Sequence, residues 1–465
     1  MYLKKYISGN YDPFVLNEVI FKVDGYRLQI KEKKWHSLWI FSLWRIIYVI
    51  IREFIKIVIH TPVISYFSNV WDCFDKNVLF ILTTNNNLNS LKEVMNCLVN
   101  GKKDFFLIDK NNKYRCIPYI QILLASLLYI PILLMRIRLL NKEERVLVNW
   151  YMHYFLFSPG TVWMYYRIFS KYQPEIVVFA NDHIYDKKAM IYVCEELGIK
   201  TMYVQHASAY DGLPRLHFSY SFLDGLDSLL KYVPSNEYKY GDIFLIGAIR
   251  YDLLNNYRTK RSQSFRMCVG VALNELDDED KIVRMCSCIV EKFPNVQLKI
   301  RTHPSMKQMK LLSDMSDRVI CNSANEEPIL VFFNDIDILF AGASGIHLDA
   351  ILSGVPSYAF NFLSTSYPDG YSYVSKGLVE LLNTEKEVVN VIDTMYQQGS
   401  FFVPDPLVVR DFDESYKKSY AGSCHQIVAD FILGGYDVGN FIKKYKMEKK
   451  VLRNADGAQY NIIPD

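Results

Sequence analysis

Residues 337–362 read DILFAGASGIHLDAILSGVPSYAFNF, and the fold turns on them. The apolar residues Ile336, Ile338, Leu339 and Phe340 form the run of a buried strand. It stops at Gly342-Ala343-Ser344-Gly345, and helical sequence begins at about Ile346. Small residues at such a turn leave the backbone open to whatever docks on it, and free N–H groups at a helix start attract an anion. After Gly354 a second apolar stretch, VPSYAFNF, predicts another strand. Strand, small-residue turn, helix, strand is one nucleotide- or phosphate-binding half of an α/β domain.

The same alternation extends in both directions. Upstream in the same domain it predicts strands at 266–273, 297–300 and 318–321 and helices at 278–292 and 327–334. Nearer the N-terminus, strands are expected at 78–83, 104–109, 175–180, 200–205, 220–223 and 243–246. Helices are expected at 88–99 and 187–197, the latter closed by Gly198, with helical, aromatic-rich sequence over 117–170. Residues 255–264 are polar and aperiodic, as a linker would be. The reading divides the chain into an N-terminal extension (1–76), a first Rossmann-like domain (77–260), a second (261–410) and a helical tail (411–465). Two such domains face each other across a cleft lined by the carboxyl ends of both sheets.

Composition narrows the function. Half of the 465 residues are hydrophobic and 22% are charged, which is a globular composition with room for two cores. A net charge of +3 without any RNA- or DNA-binding motif gives no reason to expect nucleic acid. The nine cysteines lack metal-ligand spacing and read as reduced thiols. The opening MYLKKYISGNYDPF has no apolar core of a signal peptide, so a cytoplasmic setting is expected. Residues 35–60 set Arg45, Arg52 and Lys56 on one helical stripe, with Trp35, Trp39 and Trp44 near its start. A wide apolar face with a basic stripe predicts a helix lying on an anionic membrane surface, although a buried helix has the same pattern. Residues 117–135 approach spanning length, but Gln121, Ser126 and a bend at Pro131 favour a buried or interfacial helix.

Four constellations sit at predicted strand ends, where open α/β sheets place ligands. They are Asn181-Asp182-His183, Gln205-His206-Ala207-Ser208 with Asp211 beyond, Arg301-Thr302-His303-Pro304, and Gly342-Ala343-Ser344-Gly345. A lone histidine is more often structural than catalytic, but His183, His206 and His303 share one topological address. A group leaving a nucleotide develops negative charge on phosphate, which Arg301, His303, Ser344 and nearby backbone N–H groups are placed to meet. An attacking hydroxyl must lose a proton, and His206 is the first choice of base, with Asp182 and Asp211 as alternatives. His183, Gln205 and Ser208 fall on the acceptor side. Glu327 opens a helix and reads either as dipole compensation or as a ribose ligand. Walker, HExxH, CxxC and GxSxG motifs are absent, and a mechanism without metal or cofactor is expected.

The strings YVQHASAYDGLPRLHFSYSFLDG (203–225), IGAIRYD (246–252), RTHPS (301–305) and GASGIHLDAILSGVP (342–356) carry a resemblance. The chain resembles the GT-B transferases of bacterial capsule, O-antigen and lipopolysaccharide assembly, including polysialyl- and Kdo-transferases and teichoic-acid glycerophosphotransferases. The resemblance spans about 175–360 and implies a base at His206 and donor-phosphate contacts from His303 and its Pro304 neighbour. It also implies a phosphate site at the later turn. The usual serine pair there is Ala343-Ser344, so only Ser344 carries over. The implied partners are a nucleotide sugar, with CMP favoured, a lipid-linked or lipid-anchored glycan acceptor, and other polysaccharide-assembly proteins at the inner membrane face. Transfer of a polyol phosphate from a CDP-polyol and 2-epimerisation of a UDP-sugar are the competing activities, and a scaffold without enzymatic activity is a third possibility.

Overall fold

The computed structural model describes residues 13–17, 19–22, 34–60, 77–113, 117, 119–181, 184–213, 216–232, 241–252, 267–274, 277–303, 306, 312, 314–363, 369–452 and 458–464. Asp182, His183, Pro304 and the expected linker at 255–264 lie outside the described residues. The first part of the chain contains helix α1 (Trp39–His60), β1 (Val78–Leu82), α2 (Asn85–Asn100) and β2 (Phe105–Asp109). A run of helices follows: α3 (Tyr119–Leu127), α4 (Ile130–Leu139), α5 (Lys142–Trp150) and α6 (Met152–Tyr172). Then come β3 (Ile176–Phe179), α7 (Tyr185–Leu197), β4 (Lys200–Val204), β5 (Tyr220–Leu223), α8 (Leu226–Tyr232) and β6 (Asp242–Leu245).

Strands β1 and β3–β6 are apolar runs because both faces of their sheet are covered. Helix α2 starts three residues earlier than its apolar period suggests. The Thr84 hydroxyl accepts the Asn87 N–H at 3.2 Å and caps it, so the polar Asn85-Asn86-Asn87 becomes its first turn. Helices α3 and α4 meet at 61°, with Pro131 in the first turn of α4, the bend expected there. Helices α1 and α3–α6 form a layer on one face of the first sheet. Within it Gly160 of α6 lies so close to α3 that a Cβ would fall 2.3 Å from the Ile122 carbonyl oxygen.

The second domain is built from β7 (Met267–Ala272), α9 (Glu279–Lys292), β8 (Val296–Thr302), β9 (Val319–Ser323), α10 (Ile329–Asp335) and β10 (Ile338–Ala341). It continues with α11 (Ile346–Leu352), β11 (Ser357–Phe360), β12 (Glu380–Leu382) and α12 (Glu385–Gln398). All six strands are parallel, in the order β12-β11-β10-β7-β8-β9.

The tail corrects the expectation of a purely helical segment. It comprises α13 (Pro406–Phe412), α14 (Cys424–Leu433), α15 (Val438–Tyr445), β13 (Glu448–Val451) and β14 (Gln459–Ile462). Strand β14 pairs in parallel with β6, so the first sheet reads β13-β14-β6-β5-β4-β3-β1-β2. The chain therefore returns to the first domain after building the second. Helix α14 makes the return stable, because the buried Phe431 ring lies 4.8 Å from Tyr220, 5.4 Å from Phe222 and 5.6 Å from Phe244. Phe431→Ala is expected to destabilise the first domain by about 3–5 kcal/mol, although it lies in the tail. Denaturant unfolding of the full chain checks this, and an unchanged midpoint would detach the tail from that core.

Candidate functional site

The site is assembled by register. Ala341 of β10 is level with Ala272 of β7, and Ala272 is level with Arg301 of β8. Gly342, Leu273 and Thr302 therefore leave one sheet edge together, with Gly342 and Thr302 two strand spacings apart, or about 10 Å. His303 and Ser344 rise from that same edge. His303 is solvent-exposed just beyond β8. Ser344 Oγ accepts the Ile346 N–H at 3.4 Å, just before α11.

The Gly342 turn is held by a residue the sequence reading passed over. His347 is fully buried, with Nε2 2.9 Å from the Gly342 carbonyl and Nδ1 2.7 Å from Ser357 Oγ. A carbonyl only accepts, so Nε2 carries the proton and Nδ1 accepts from the Ser357 hydroxyl. Burial lowers the His347 pKa to about 4, which keeps the ring neutral and this tautomer fixed. Two further residues reach the turn from the loop after β7. Asn274 Nδ2 donates to the Ala343 carbonyl at 3.2 Å, and an Asp277 oxygen lies 3.5 Å from where a Gly342 Cβ would be. Burial raises the Asp277 carboxyl to about 6, against the hydrogen bond it accepts from the Asn274 N–H.

Across the cleft, β4 delivers Gln205-His206-Ala207-Ser208. The half-buried His206 follows the strand directly. Gln205 does not face an acceptor, contrary to expectation. Its buried amide donates to the Ala207 carbonyl at 2.8 Å and to Ser228 Oγ at 2.9 Å, and its oxygen accepts the Asp224 N–H. Gln205 thus pins the His206 loop to β5. The loop beyond docks on the second domain, where the Asp211 N–H donates to the Gly370 carbonyl at 2.8 Å. A Cβ on Gly370 would strike the Tyr210 ring at 2.1 Å, so glycine is required there. Asp211 is exposed, and partial burial raises its carboxyl pKa while Lys231 opposes the rise.

Two donor-side expectations also need correction. Arg301 donates to the Glu327 carbonyl at 2.7 Å and lies over the Phe332 ring of α10, so its guanidinium braces the sheet edge from below. The Glu327 carboxylate is held 2.6 Å from the buried Lys299 ammonium and is not offered to a ribose. Lys299 and Arg301 are two apart in β8 and so share the face under α10. Two Asp-x-Asp triplets in the sequence, Asp278-Glu279-Asp280 and Asp335-Ile336-Asp337, have structural partners as well. Asp278 caps α9, Asp337 accepts the Cys268 N–H and Asp335 pairs with Lys299.

The two domains touch at the floor of the cleft. A Cβ on Gly345 would lie 3.7 Å from Ser208 Oγ. Arg250 donates to Asp224 at 2.6 Å and to Ser208 Oγ at 3.3 Å, and its neighbour Tyr251 donates to Asp349 of α11. Arg250 and Tyr251 thus tie the loop after β4 to the helix that follows the Gly342–Gly345 turn. The chain has the two-domain GT-B fold. The calicheamicin glycosyltransferase CalG4 superposes with a TM-score of 0.50 at 9% identity, over 79% of this chain and 98% of CalG4. The UDP-GlcNAc 2-epimerase of Neisseria meningitidis bound to UDP-GlcNAc gives a TM-score of 0.47 at 12% identity, over 77% of this chain and 99% of that one. MurG of Acinetobacter baumannii gives 0.42 at 9% identity, over 77% and 99%. At these identities the likeness is one of fold. No protein-family model matches the chain, and no curated protein sequence matches it.

The protein's own packing does not require glycine at 342 or 345. Both Cβ positions would make only ordinary contacts, and neither φ is positive. Gly342→Ala and Gly345→Ala are expected to keep or slightly raise the melting temperature while weakening any ligand that approaches this backbone. Thermal melts with and without nucleotide check this, and unchanged binding in both variants would show that nothing docks there. A second expectation concerns Asp277. Its folded pKa is raised, so the stability it confers is full below about pH 4 and is lost as pH rises through about 6. Asp277→Asn should therefore leave stability at pH 4 unchanged and raise it at pH 8, by on the order of 2–3 kcal/mol, in paired denaturant titrations.

Proposed function

We propose that the cleft binds a nucleotide-activated sugar and transfers the sugar to an acceptor hydroxyl. One observation carries this reading: the His206 loop of the first sheet and the Gly342–Gly345 turn of the second meet at Ser208 and Gly345. Catalytic histidine and phosphate-binding turn then flank one space, with His303 on the same edge as the turn.

The acceptor oxygen attacks the anomeric carbon as the bond from that carbon to the phosphate oxygen breaks, and a single displacement inverts the configuration. The acceptor proton passes to His206. Negative charge growing on the departing phosphate is met by His303, the Ser344 hydroxyl and backbone N–H groups of the turn. Arg301 acts behind this shell by holding the edge in place. A cytidine nucleotide as donor, a lipid-linked glycan as acceptor, and a role in capsule, O-antigen or related surface polysaccharide complete the proposal. They rest on the quoted motif strings.

Incubating the protein with CMP-, CDP-, UDP- and GDP-activated donors and an acceptor extract, then assaying free nucleotide, tests the activity. His206→Ala is expected to slow nucleotide release by roughly 10²–10⁴-fold while donor-induced thermal stabilisation persists. His303→Ala is expected to cost about 10²–10³-fold in turnover. Unchanged rates in both variants would refute the assignment, and conversion of a UDP-sugar to its epimer without nucleotide release would replace transferase by epimerase.

A further inference from the structure

Helix α1 is apolar on two faces, and the protein covers only one of them. Ser42, Ile46, Val49 and Ile57 are buried in the helical layer. On the opposite side Ile40, Trp44, Ile47, Ile51, Phe54 and Val58 recur every three or four residues and are each half or more exposed. The neighbouring α3–α4 elbow continues this character. Leu124, Leu128, Met135 and Leu139 are exposed there, up to 78% at Leu139, while Ile122, Leu133 and Ile137 are buried beneath them. Exposed apolar surface on this scale marks an interaction site.

Charge identifies the partner. Residues 34–60 and 119–150 hold eight Lys and Arg against three Asp and Glu, an excess of five, whereas the whole chain carries only +3. The segments that carry this apolar face are therefore net basic, in a chain that is close to neutral as a whole. The basic stripe expected to face outward is partly inward. Arg45 donates to the carbonyls of Asn149 and Trp150, and Arg52 and Lys56 share Glu53. These cations lie along the boundary of the face, with Arg45 and Arg52 against the Tyr48 ring, and leave its centre uncharged. Among the described residues no single helix is long and apolar enough to cross a membrane, and the bent α3–α4 pair has its inner side in the protein core. Pairing with a second copy would bring two basic rims together, which like-charge repulsion opposes.

We propose that the exposed face of α1, with the α3–α4 elbow, lies in the plane of an anionic lipid leaflet, its apolar side chains in the acyl boundary and its flanking cations at the headgroups. The face is close to the acceptor-side edge of the first sheet. The charges of Arg52, Glu53 and Lys56 bear on His153 of α6, whose ring is 6.1 Å from that of Tyr185 at the start of α7, beside the loop that follows β3. The proposal stands independently of the nucleotide-sugar reading, since vesicle binding needs neither donor nor acceptor.

Co-sedimentation of the full chain with vesicles tests it. Binding is expected to phosphatidylglycerol–phosphatidylcholine vesicles, weaker binding to phosphatidylcholine alone, and loss of the difference in high salt. Tryptophan emission should shift to the blue and be quenched by brominated acyl chains. Ile47→Glu combined with Ile51→Glu should reduce binding at least tenfold without lowering the melting temperature, because both side chains are solvent-exposed in the fold. Should that pair perturb folding, the exposed Arg136 and Arg138 in the last turn of α4 provide a second test, and Arg136→Glu with Arg138→Glu should abolish the preference for anionic vesicles. A wild-type chain that stays in the supernatant with anionic vesicles overturns the proposal. So does a lipid-free dimer that the Ile47/Ile51 variant dissociates, since a second copy would then cover the face.

Discussion

The buried contact between Arg250 and Asp224 is the constraint around which the rest is arranged. Asp224 leaves β5 with almost no solvent on its carboxylate, and burial pushes its pKa up while Arg250, 2.6 Å away, pulls it back. Burial also works against the arginine charge, but Asp224 and Asp349 outweigh it and raise the Arg250 pKa. Removing either partner would strand a buried charge, at about 3–5 kcal/mol. More follows from position than from energy. Ser208, which accepts from Arg250, is two residues past His206, and Asp349 is four residues past Gly345. Asp349 accepts from Tyr251, so the consecutive residues Arg250 and Tyr251 tie the His206 loop to the helix that follows the Gly342–Gly345 turn.

Most of the fold was legible because its strands are covered on both faces and so appear as unbroken apolar runs flanked by turn residues. Strands β1, β3, β4, β7 and β10 all stand where their largely apolar stretches predicted them. The tail was not legible for the opposite reason. Strand β13 is EKKV with every residue exposed, and β14 is QYNI, so neither has an apolar run. They become strands because β6 leaves an edge to be paired, a tertiary cause with no local signature.

The candidate site was half legible for a related reason. Sequence locates the ends of strands to within a residue or two, but not which of the last side chains still lies inside the sheet. His303 lies one residue past β8 and is exposed, whereas Arg301, inside the strand, is taken by backbone carbonyls. Gln205 and Glu327 were misjudged likewise, since their partners, Ser228 and Lys299, come from other parts of the chain. His347 and Arg250 stood inside the quoted motif strings, and only the fold gave them their tasks. A histidine in the first turn of the helix after a small-residue turn, five residues from the glycine whose carbonyl it binds, was the one signal available for the first.

These corrections change the physics expected at the donor edge. With Lys299 committed to Glu327 and Asp335, and Arg301 to the Glu327 carbonyl, the cations of β8 are already neutralised or braced. A phosphate there would be met by His303, a serine hydroxyl and peptide N–H groups, which act by orientation more than by net charge. Asp277 sharpens the point. An ionised carboxylate beside Gly342 would repel a phosphate, while the protonated form would donate to it, and burial has moved the balance between them to about pH 6. A nucleotide entering this edge should take up a proton at Asp277 as it binds. Its affinity should then fall as pH rises through that value, in the same direction as the stability of the free protein.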